Sequence, residues 1–150
     1  FMRLMKSLNI QILINETVVL NDKNNSSVLA LVGLDDCKTG ILFDKKIFEG
    51  LKDKYKFVLA FSHNPDVSLH IPEGSVDLFV AGHFHGGQIW LPFNLEYMLL
   101  RKEKVCRMGH IKGFAAIRNN MVYISRGLGT VLVPFRFFSV PEITVFDIKP

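Results

Sequence analysis

Three histidines stand where their side chains could bind a metal ion. His83 and His85 are two residues apart, and in an extended segment such alternate side chains project to the same side. Both lie inside the glycine-rich segment 82–87, where missing Cβ atoms allow close approach of a ligand. His63 precedes Asn64 and Pro65, which predict a capped turn or short helix after it. Together, the three imidazoles predict a site for a transition-metal ion.

Apolar runs before these residues predict the strands that position them. Residues 28–34, 57–61 and 76–81 are nearly continuous in apolar side chains, which is typical of strands buried on both faces of a sheet. Each run ends in polar residues: Asp35 and Asp36 after the first, His63 after the second and His83 after the third. Because ligand sites of open α/β sheets lie at the carboxyl ends of the strands, we expect the site at this edge.

The remaining segments complete the prediction of one continuous α/β domain over residues 1–150. Residues 10–20 are predicted as a strand followed by a turn at 21–26, and the helical spacing of apolar residues predicts a covering helix over 40–55. Residues 114–117 and 121–125 predict a hairpin about 118–120, and 142–148 predict a terminal strand.

Composition excludes several classes of protein. The net charge of +4 comes from interleaved charges, 18 basic and 14 acidic, so we expect no nucleic-acid partner. The longest apolar runs fall far short of the roughly 20 residues of a transmembrane helix. Cys37 and Cys106 match no zinc-ribbon spacing and are expected to be free thiols.

A basic cluster lies beside the aromatic stretch 90–100. It consists of Arg101, Lys102, Lys104, Arg107 and Lys112. The cluster is either a solvated face or a contact with an anionic substrate or a membrane surface.

Two motifs resemble those of the calcineurin-like metallophosphoesterase superfamily. Residues 62–66, Ser-His-Asn-Pro-Asp, resemble its single-histidine motif, and residues 82–88 resemble its Gly-His-x-His-Gly-Gly-Gln motif. Residues 125–130, 134–137 and 141–143 resemble the carboxyl end of the bacterial branch that includes the YkuE-like phosphoesterases and the UDP-2,3-diacylglucosamine hydrolases. Phe84 replaces the usual threonine between the paired histidines, which makes the floor of the pocket more apolar.

The resemblance implies a metal-dependent phosphoester hydrolase. It implies two divalent ions, Mn, Zn or Fe, with His63 and His83 on one and His85 on the other. The implied fold is an α/β/β/α sandwich of mixed sheets flanked by helices. The implied substrate is a phosphorylated small molecule or a lipid-linked phosphate.

The superfamily's earlier motifs, which carry its aspartate, asparagine and catalytic histidine residues, have no counterpart in the chain. We therefore expect the chain to be the C-terminal portion of the domain, with the N-terminal half absent, and to be nearly inactive alone. Three neutral imidazoles leave four positive charges of two ions unbalanced, so carboxylates are needed. Within the chain, Asp35, Asp36 and Asp66 are the candidates, either as ligands or as partners that orient an imidazole.

Other residues are candidates for binding substrate. The backbone N–H groups of Gly86 and Gly87 could face a phosphate oxygen, although plain turn geometry also explains these glycines. Arg126 and Arg136 could pair with a phosphate, or form a structural ion pair with Glu142.

Two alternatives to an enzyme stay open from the sequence. The chain could self-associate as a non-enzymatic module, exchanging strands to cover the sheet edge that the missing half should occupy. Alternatively, the histidines could hold a single structural zinc in an interaction domain.

Overall fold

Four parallel strands form the centre of a six-stranded mixed sheet. The computed structural model describes residues 2–21, 27–89 and 101–148. The strands are β1 (Glu16–Asn21), β2 (Ser27–Gly33), β3 (Phe57–Phe61), β4 (Leu78–Ala81), β5 (Gly113–Ile117) and β6 (Asn120–Ile124). Their order across the sheet is β1-β2-β3-β4-β6-β5, with β1 and β5 antiparallel to their neighbours at the two edges.

The helices are short. In residues 2–21, 27–89 and 101–148, the α-helices are α1 (Met2–Ser7), α2 (Leu51–Lys54) and α3 (Lys104–Arg107). Three 3-10 helices in the same residues span Lys45–Phe48, Pro65–Leu69 and His85–Gly87. The expected α/β class with a mixed sheet is confirmed; within the described residues there is one sheet rather than two.

The carboxyl ends of the parallel strands meet at one edge, as predicted. Backbone hydrogen bonds continue past the strand ends: Gly82 N–H donates to His63 C=O at 3.1 Å, and Ser125 N–H donates to Ala81 C=O at 2.8 Å. These bonds hold the first residues of adjacent loops in fixed register. The loops that carry the histidines therefore start from a rigid platform.

The two faces of the sheet are covered unequally. One face is fully buried and forms the centre of the core through Ala30, Val32, Val58, Ala60, Phe79, Ala81, Val122 and Ile124. On the other face, Phe61 and Met121 are exposed, and a groove there is lined by the segment 10–13 together with β1, β2 and β3. The apolar runs 28–34, 57–61 and 76–81 are predicted to be buried on both faces. One face is buried as predicted, but the other is partly exposed, at Phe61.

The hairpin prediction is confirmed. β5 and β6 pair antiparallel and are joined by Arg118 and Asn119, which have φ of 51° and 58°. Two successive residues with positive φ give a turn whose twist matches that of the flanking strands. Asn120 then fixes the turn to the body of the protein, because its buried side chain accepts from Val76 N–H at 3.1 Å.

Three of the predicted elements differ from the structure. The helix expected over 40–55 is interrupted at Gly50, whose φ of 69° lies in the left-handed region and separates a 3-10 helix from α2. The strand expected over 10–20 begins at Glu16. Residues 142–148 form no strand; there the chain is held by side-chain contacts and by the bond from Glu142 N–H to Gly127 C=O.

The aromatic stretch 90–100 and most of the predicted turn 21–26 lie outside the described residues. In the described part of the chain, no helix has the length and hydropathy needed to cross a bilayer.

Candidate metal centre

His63 and His83 come together at the carboxyl edge of the sheet. Nε2 of His63 and Nδ1 of His83 are 3.1 Å apart, and the rings meet edge to face at 4.9 Å between centroids. Nitrogens bound to one ion at about 2.0–2.1 Å lie roughly 2.9–3.4 Å from each other, depending on coordination geometry. The spacing of this pair therefore fits two neighbouring ligands of a single ion.

The opposite nitrogen of His83 faces a buried carboxylate. Its Nε2 lies 3.2 Å from Oε1 of Glu103, which also accepts a hydrogen bond from Lys38 Nζ at 2.8 Å. Glu103 is only 6% exposed. Burial raises the pKa of this carboxyl, but hydrogen bonds from Lys38, from backbone and from His83 outweigh it and bring the pKa to about 2. Glu103 is therefore ionised, and it can only accept from His83.

Asp66 ties the His63 loop to the segment that carries Glu103. Its carboxylate accepts from the N–H groups of Lys104 and Val105, at 2.9 and 2.8 Å. Asn64 in turn caps the 3-10 helix Pro65–Leu69, accepting from Asp66 N–H at 3.0 Å, which confirms the predicted cap. As a result, the loops behind His63 and around Glu103 form one hydrogen-bonded unit.

The ring of His85 is oriented by one backbone carbonyl group. Its Nδ1 lies 3.0 Å from Gly129 C=O, which as an acceptor requires a proton on Nδ1 and leaves the lone pair on Nε2. A ring held in this way by a carbonyl is the usual arrangement of a metal-binding histidine. A positive charge on His85 would lower the pKa of His63.

The pKa of His63 is lowered overall. Desolvation around the ring is the largest cause, the neighbouring His83 adds to it, and the negative charge of Asp36 opposes both. A lowered pKa keeps the ring neutral, which is the form that binds metal.

Backbone strain is concentrated in the loop after β4. His83, His85 and Gln88 have φ of 70°, 53° and 51°, in the left-handed region that non-glycine residues seldom adopt. Such strain persists where the surroundings hold the chain firmly, and it is frequent at functional sites. Gln88 supplies part of the restraint, because its amide donates to Val131 C=O and Val133 C=O, both at 2.9 Å.

The three aspartates considered as ligands are bound to backbone instead. Asp35 accepts from the N–H groups of Asp36 and Ile41, and Asp36 accepts from Lys38 N–H. Asp66 holds α3, as described above. Within the described residues, no three histidine, cysteine, aspartate or glutamate side chains are close enough to surround an ion. The donor set is thus one close pair, His63 and His83, whereas His85 lies outside this pair and is oriented by Gly129 C=O.

Arg126 and the two glycines considered for substrate binding have partners within the protein. Arg126 forms an ion pair with Glu142 at 2.5 Å, the structural alternative noted from the sequence. A Cβ on Gly86 would lie 2.5 Å from Cγ of Arg126, and Gly86 has a φ of 60°, so packing alone requires glycine there. Gly87 N–H donates to Phe84 C=O at 2.9 Å. Binding of phosphate by these residues stays a prediction.

Phe84 is fully buried below His83, with ring centroids 5.7 Å apart. The guanidinium of Arg101 lies 5.7 Å above the Phe84 ring, and its Nη1 is 3.5 Å from Nε2 of His83. Part of the basic cluster therefore stands at the candidate centre rather than on a remote face.

Sequence reasoning missed Glu103. It lies 20 residues after His83, with no local pattern that links the two. One signal was present: Glu103 is the single acidic residue in the basic run 101–112. An isolated acid among bases is a candidate for a buried charge pair.

The chain was compared with protein-family models, solved structures and curated proteins. No family model and no solved structure matches it. Among curated proteins, the uncharacterized metallophosphoesterases YkoQ and YkuE of Bacillus subtilis (strain 168) are 36% identical over 118 residues and 34% identical over 125 residues. These matches cover 79% and 83% of the chain and 42% of each relative.

A relative with a named substrate is also similar. The UDP-2,3-diacylglucosamine pyrophosphatase LpxG of Chlamydia muridarum (strain MoPn / Nigg) is 30% identical over 140 residues, which is 90% of the chain and 40% of that protein. The chain spans about two fifths of the length of these relatives.

Proposed function

Since the chain belongs to the metallophosphoesterase superfamily, in the branch of YkuE and LpxG, we propose that the protein hydrolyses phosphoesters at a metal centre formed by His63, His83 and His85. The observation that carries the proposal is the 3.1 Å approach of His63 Nε2 to His83 Nδ1 at the carboxyl edge of the sheet. His63 and His83 would share one ion, and His85 would bind a second through Nε2. When bound, such ions supply Lewis acidity to phosphoryl oxygens and lower the pKa of an attacking water.

The chain's own charges suit an anionic substrate. Lys38 and Arg101 both stand beside His83, Lys38 through its bond to Glu103 and Arg101 through its 3.5 Å approach to Nε2. Cations at this edge attract a phosphate group and hold it near the imidazoles. The substrate class we propose is a phosphate ester or pyrophosphate; a lipid-linked example is the substrate in the name of LpxG.

Carboxylate ligands are still needed, because neutral imidazoles do not offset the charge of two ions. In the described residues, the aspartates near the centre already accept from backbone N–H groups. We place the missing carboxylates in protein that corresponds to the part of the relatives' length that the chain does not cover. On this proposal the 150-residue chain alone hydrolyses substrate very slowly.

The test is hydrolysis of bis(p-nitrophenyl) phosphate with added Mn²⁺, by the protein at its native length and by the 150-residue chain. We expect turnover at native length and a rate at least about a hundredfold lower for the chain, since the electrostatic contribution of the carboxylates is missing. His83→Ala should abolish turnover at native length. His110→Ala, a half-buried histidine outside the centre, is the matched control and should keep it.

Each part of the proposal can fail separately. Absence of turnover at native length, with Mn²⁺ bound, would contradict the proposed hydrolase activity. Equal turnover by the 150-residue chain would contradict the proposal that the carboxylate ligands lie outside it. One tightly held zinc with no turnover would instead support the structural zinc site considered from the sequence.

A further inference from the structure

Glu103 is the one buried acidic side chain in contact with an imidazole of the centre among the described residues. Its Oε1 lies 3.2 Å from His83 Nε2, and Lys102 N–H donates to its Oε2 at 3.0 Å. The salt bridge from Lys38 supplies a third contact. The carboxylate is therefore fixed from three sides, with one oxygen directed at His83.

Contact with a carboxylate decides which nitrogen of His83 carries the proton. A neutral imidazole has one N–H and one lone pair, and an ionised carboxylate can only accept. Nε2 must then carry the proton, which leaves the lone pair on Nδ1. Nδ1 is the atom that faces His63 Nε2 at 3.1 Å.

Arg101 acts against this arrangement. Its Nη1 lies 3.5 Å from His83 Nε2, and a guanidinium can only donate. If Glu103 were absent, Arg101 could donate to a lone pair on Nε2, and the proton would move to Nδ1. That tautomer would present an N–H, rather than a lone pair, to the place where an ion would bind.

We propose that Glu103 is a positioning residue that holds His83 in its Nε2–H tautomer against Arg101 and so keeps Nδ1 free to bind metal. The proposal rests on the proposed metal centre, and it adds a specific role for a residue that none of the motifs contains. Partners of this kind typically change metal affinity by about 10–100-fold.

The residues that follow Glu103 are held in place, and this maintains its contact with His83. Asp66 accepts from the N–H groups of Lys104 and Val105, immediately after Glu103. Val105 is fully buried in the core. The residue that positions His83 is thus anchored to the loop that carries His63, and both ligands are set by one unit.

The first experiment is titration of the protein at its native length with Co²⁺, followed by visible absorption. Glu103→Ala should weaken Co²⁺ binding by about 10–100-fold. Glu103→Gln keeps an oxygen acceptor and should lose less. Adding Arg101→Ala to Glu103→Ala should restore part of the affinity, because the competing donor is gone. Glu49→Ala, at an exposed glutamate outside the centre, is the control and should bind as wild type does.

The second experiment reads the tautomer without metal. Long-range ¹H–¹⁵N NMR of the chain labelled at histidine should show the Nε2–H form of His83 in wild type and a shift toward Nδ1–H in Glu103→Ala. Should that variant not fold, the same comparison is made with Glu103→Gln.

The outcomes separate the two proposals. If the wild-type protein at its native length binds no Co²⁺, the metal centre fails. If wild type binds Co²⁺ but Glu103→Ala binds it within about twofold, with His83 in an unchanged tautomer, the role of Glu103 is wrong. A loss of affinity that Arg101→Ala deepens rather than relieves would also contradict it, since the competition with Arg101 would then be absent.

Discussion

The two histidine loops of the candidate centre are held by different kinds of contact. His83 rests on charged side chains, Glu103 with Lys38 and Arg101 around it. His85 is held through backbone carbonyls: its Nδ1 lies beside Gly129 C=O, and its own C=O accepts from Arg136. Both sides face a ring nitrogen, but the charged side does so through side chains alone, whereas the carbonyl side also fixes the path of the backbone. We therefore expect substitutions on the carbonyl side to affect stability most, and those on the charged side to affect metal binding most.

Arg136→Ala should have the largest effect on stability. The guanidinium donates to the carbonyls of His85, Arg126, Gly127 and Gly129, so its loss leaves several acceptors without a partner. Hydrogen bonds from a charged group are worth about 1.5–3 kcal/mol each, and part of this network is exposed, so we expect a loss of about 3 kcal/mol in the free energy of unfolding. Urea unfolding measures it.

Arg136→Lys is the matched variant. Lysine keeps the charge but not the planar fork that reaches several carbonyls, so it should restore little. Recovery of wild-type stability in Arg136→Lys would show that the positive charge, rather than the hydrogen bonds of the planar guanidinium, holds the loop that carries His85.

Glu142→Gln should have a smaller effect that depends on pH. Burial raises the pKa of Glu142, but hydrogen bonds from Arg126 and Tyr123 outweigh it, and the net pKa is lowered from 4.5. A lowered pKa in the folded state means that the stabilisation is present above pH 4.5 and is lost as the pH falls further. The pair is partly exposed, so we expect about 1 kcal/mol at neutral pH.

Thermal unfolding of wild type and Glu142→Gln between pH 3 and 7 follows this effect. The difference between the two proteins should shrink toward zero at the acid end. A difference that stays constant with pH would mean that the lost contribution is packing or neutral hydrogen bonding, not the ion pair.

Lys38→Met should have the smallest effect on stability. The lysine side chain is 44% exposed, and the buried Glu103 keeps its contacts with His83 and with Lys102 N–H when Lys38 is lost, so we expect a loss of about 1 kcal/mol or less. Unfolding should therefore change little, even though Lys38 contacts the same carboxylate as His83. A loss as large as that of Arg136→Ala would remove the distinction between the two sides of the centre.

The sequence predicts the strands that carry the centre better than it predicts the side-chain contacts within the centre. Parallel strands β2, β3 and β4 follow from apolar runs, and their carboxyl ends bring His63 and His83 to one edge, since parallel strands end together. The contact between His83 and Glu103 depends instead on how α3 docks against the loop after β3, through Asp66. Local patterns carry no signal for such a contact.

Two of the wrong secondary-structure predictions also failed because local patterns do not determine the wider structure. The helical spacing over 40–55 is real, but Gly50 takes a left-handed conformation that ends one helix and starts another. Residues 142–148 alternate as a strand does, yet they have no strand partner within the described sheet, and Glu142 is used in the pair with Arg126. Alternation predicts which residues can form a strand, but a pairing edge must also be available.

The central claim is that His63 and His83 bind one and the same ion. It is tested most directly by ¹H–¹⁵N NMR of the histidine side chains while Zn²⁺ is added to the protein at its native length, which includes the proposed carboxylate ligands. The account predicts that the signals of His63 Nε2 and His83 Nδ1 change together within the first equivalent, while those of His110 do not change. Signals of His63 and His83 that change at different equivalents of Zn²⁺, or that never change, would contradict it.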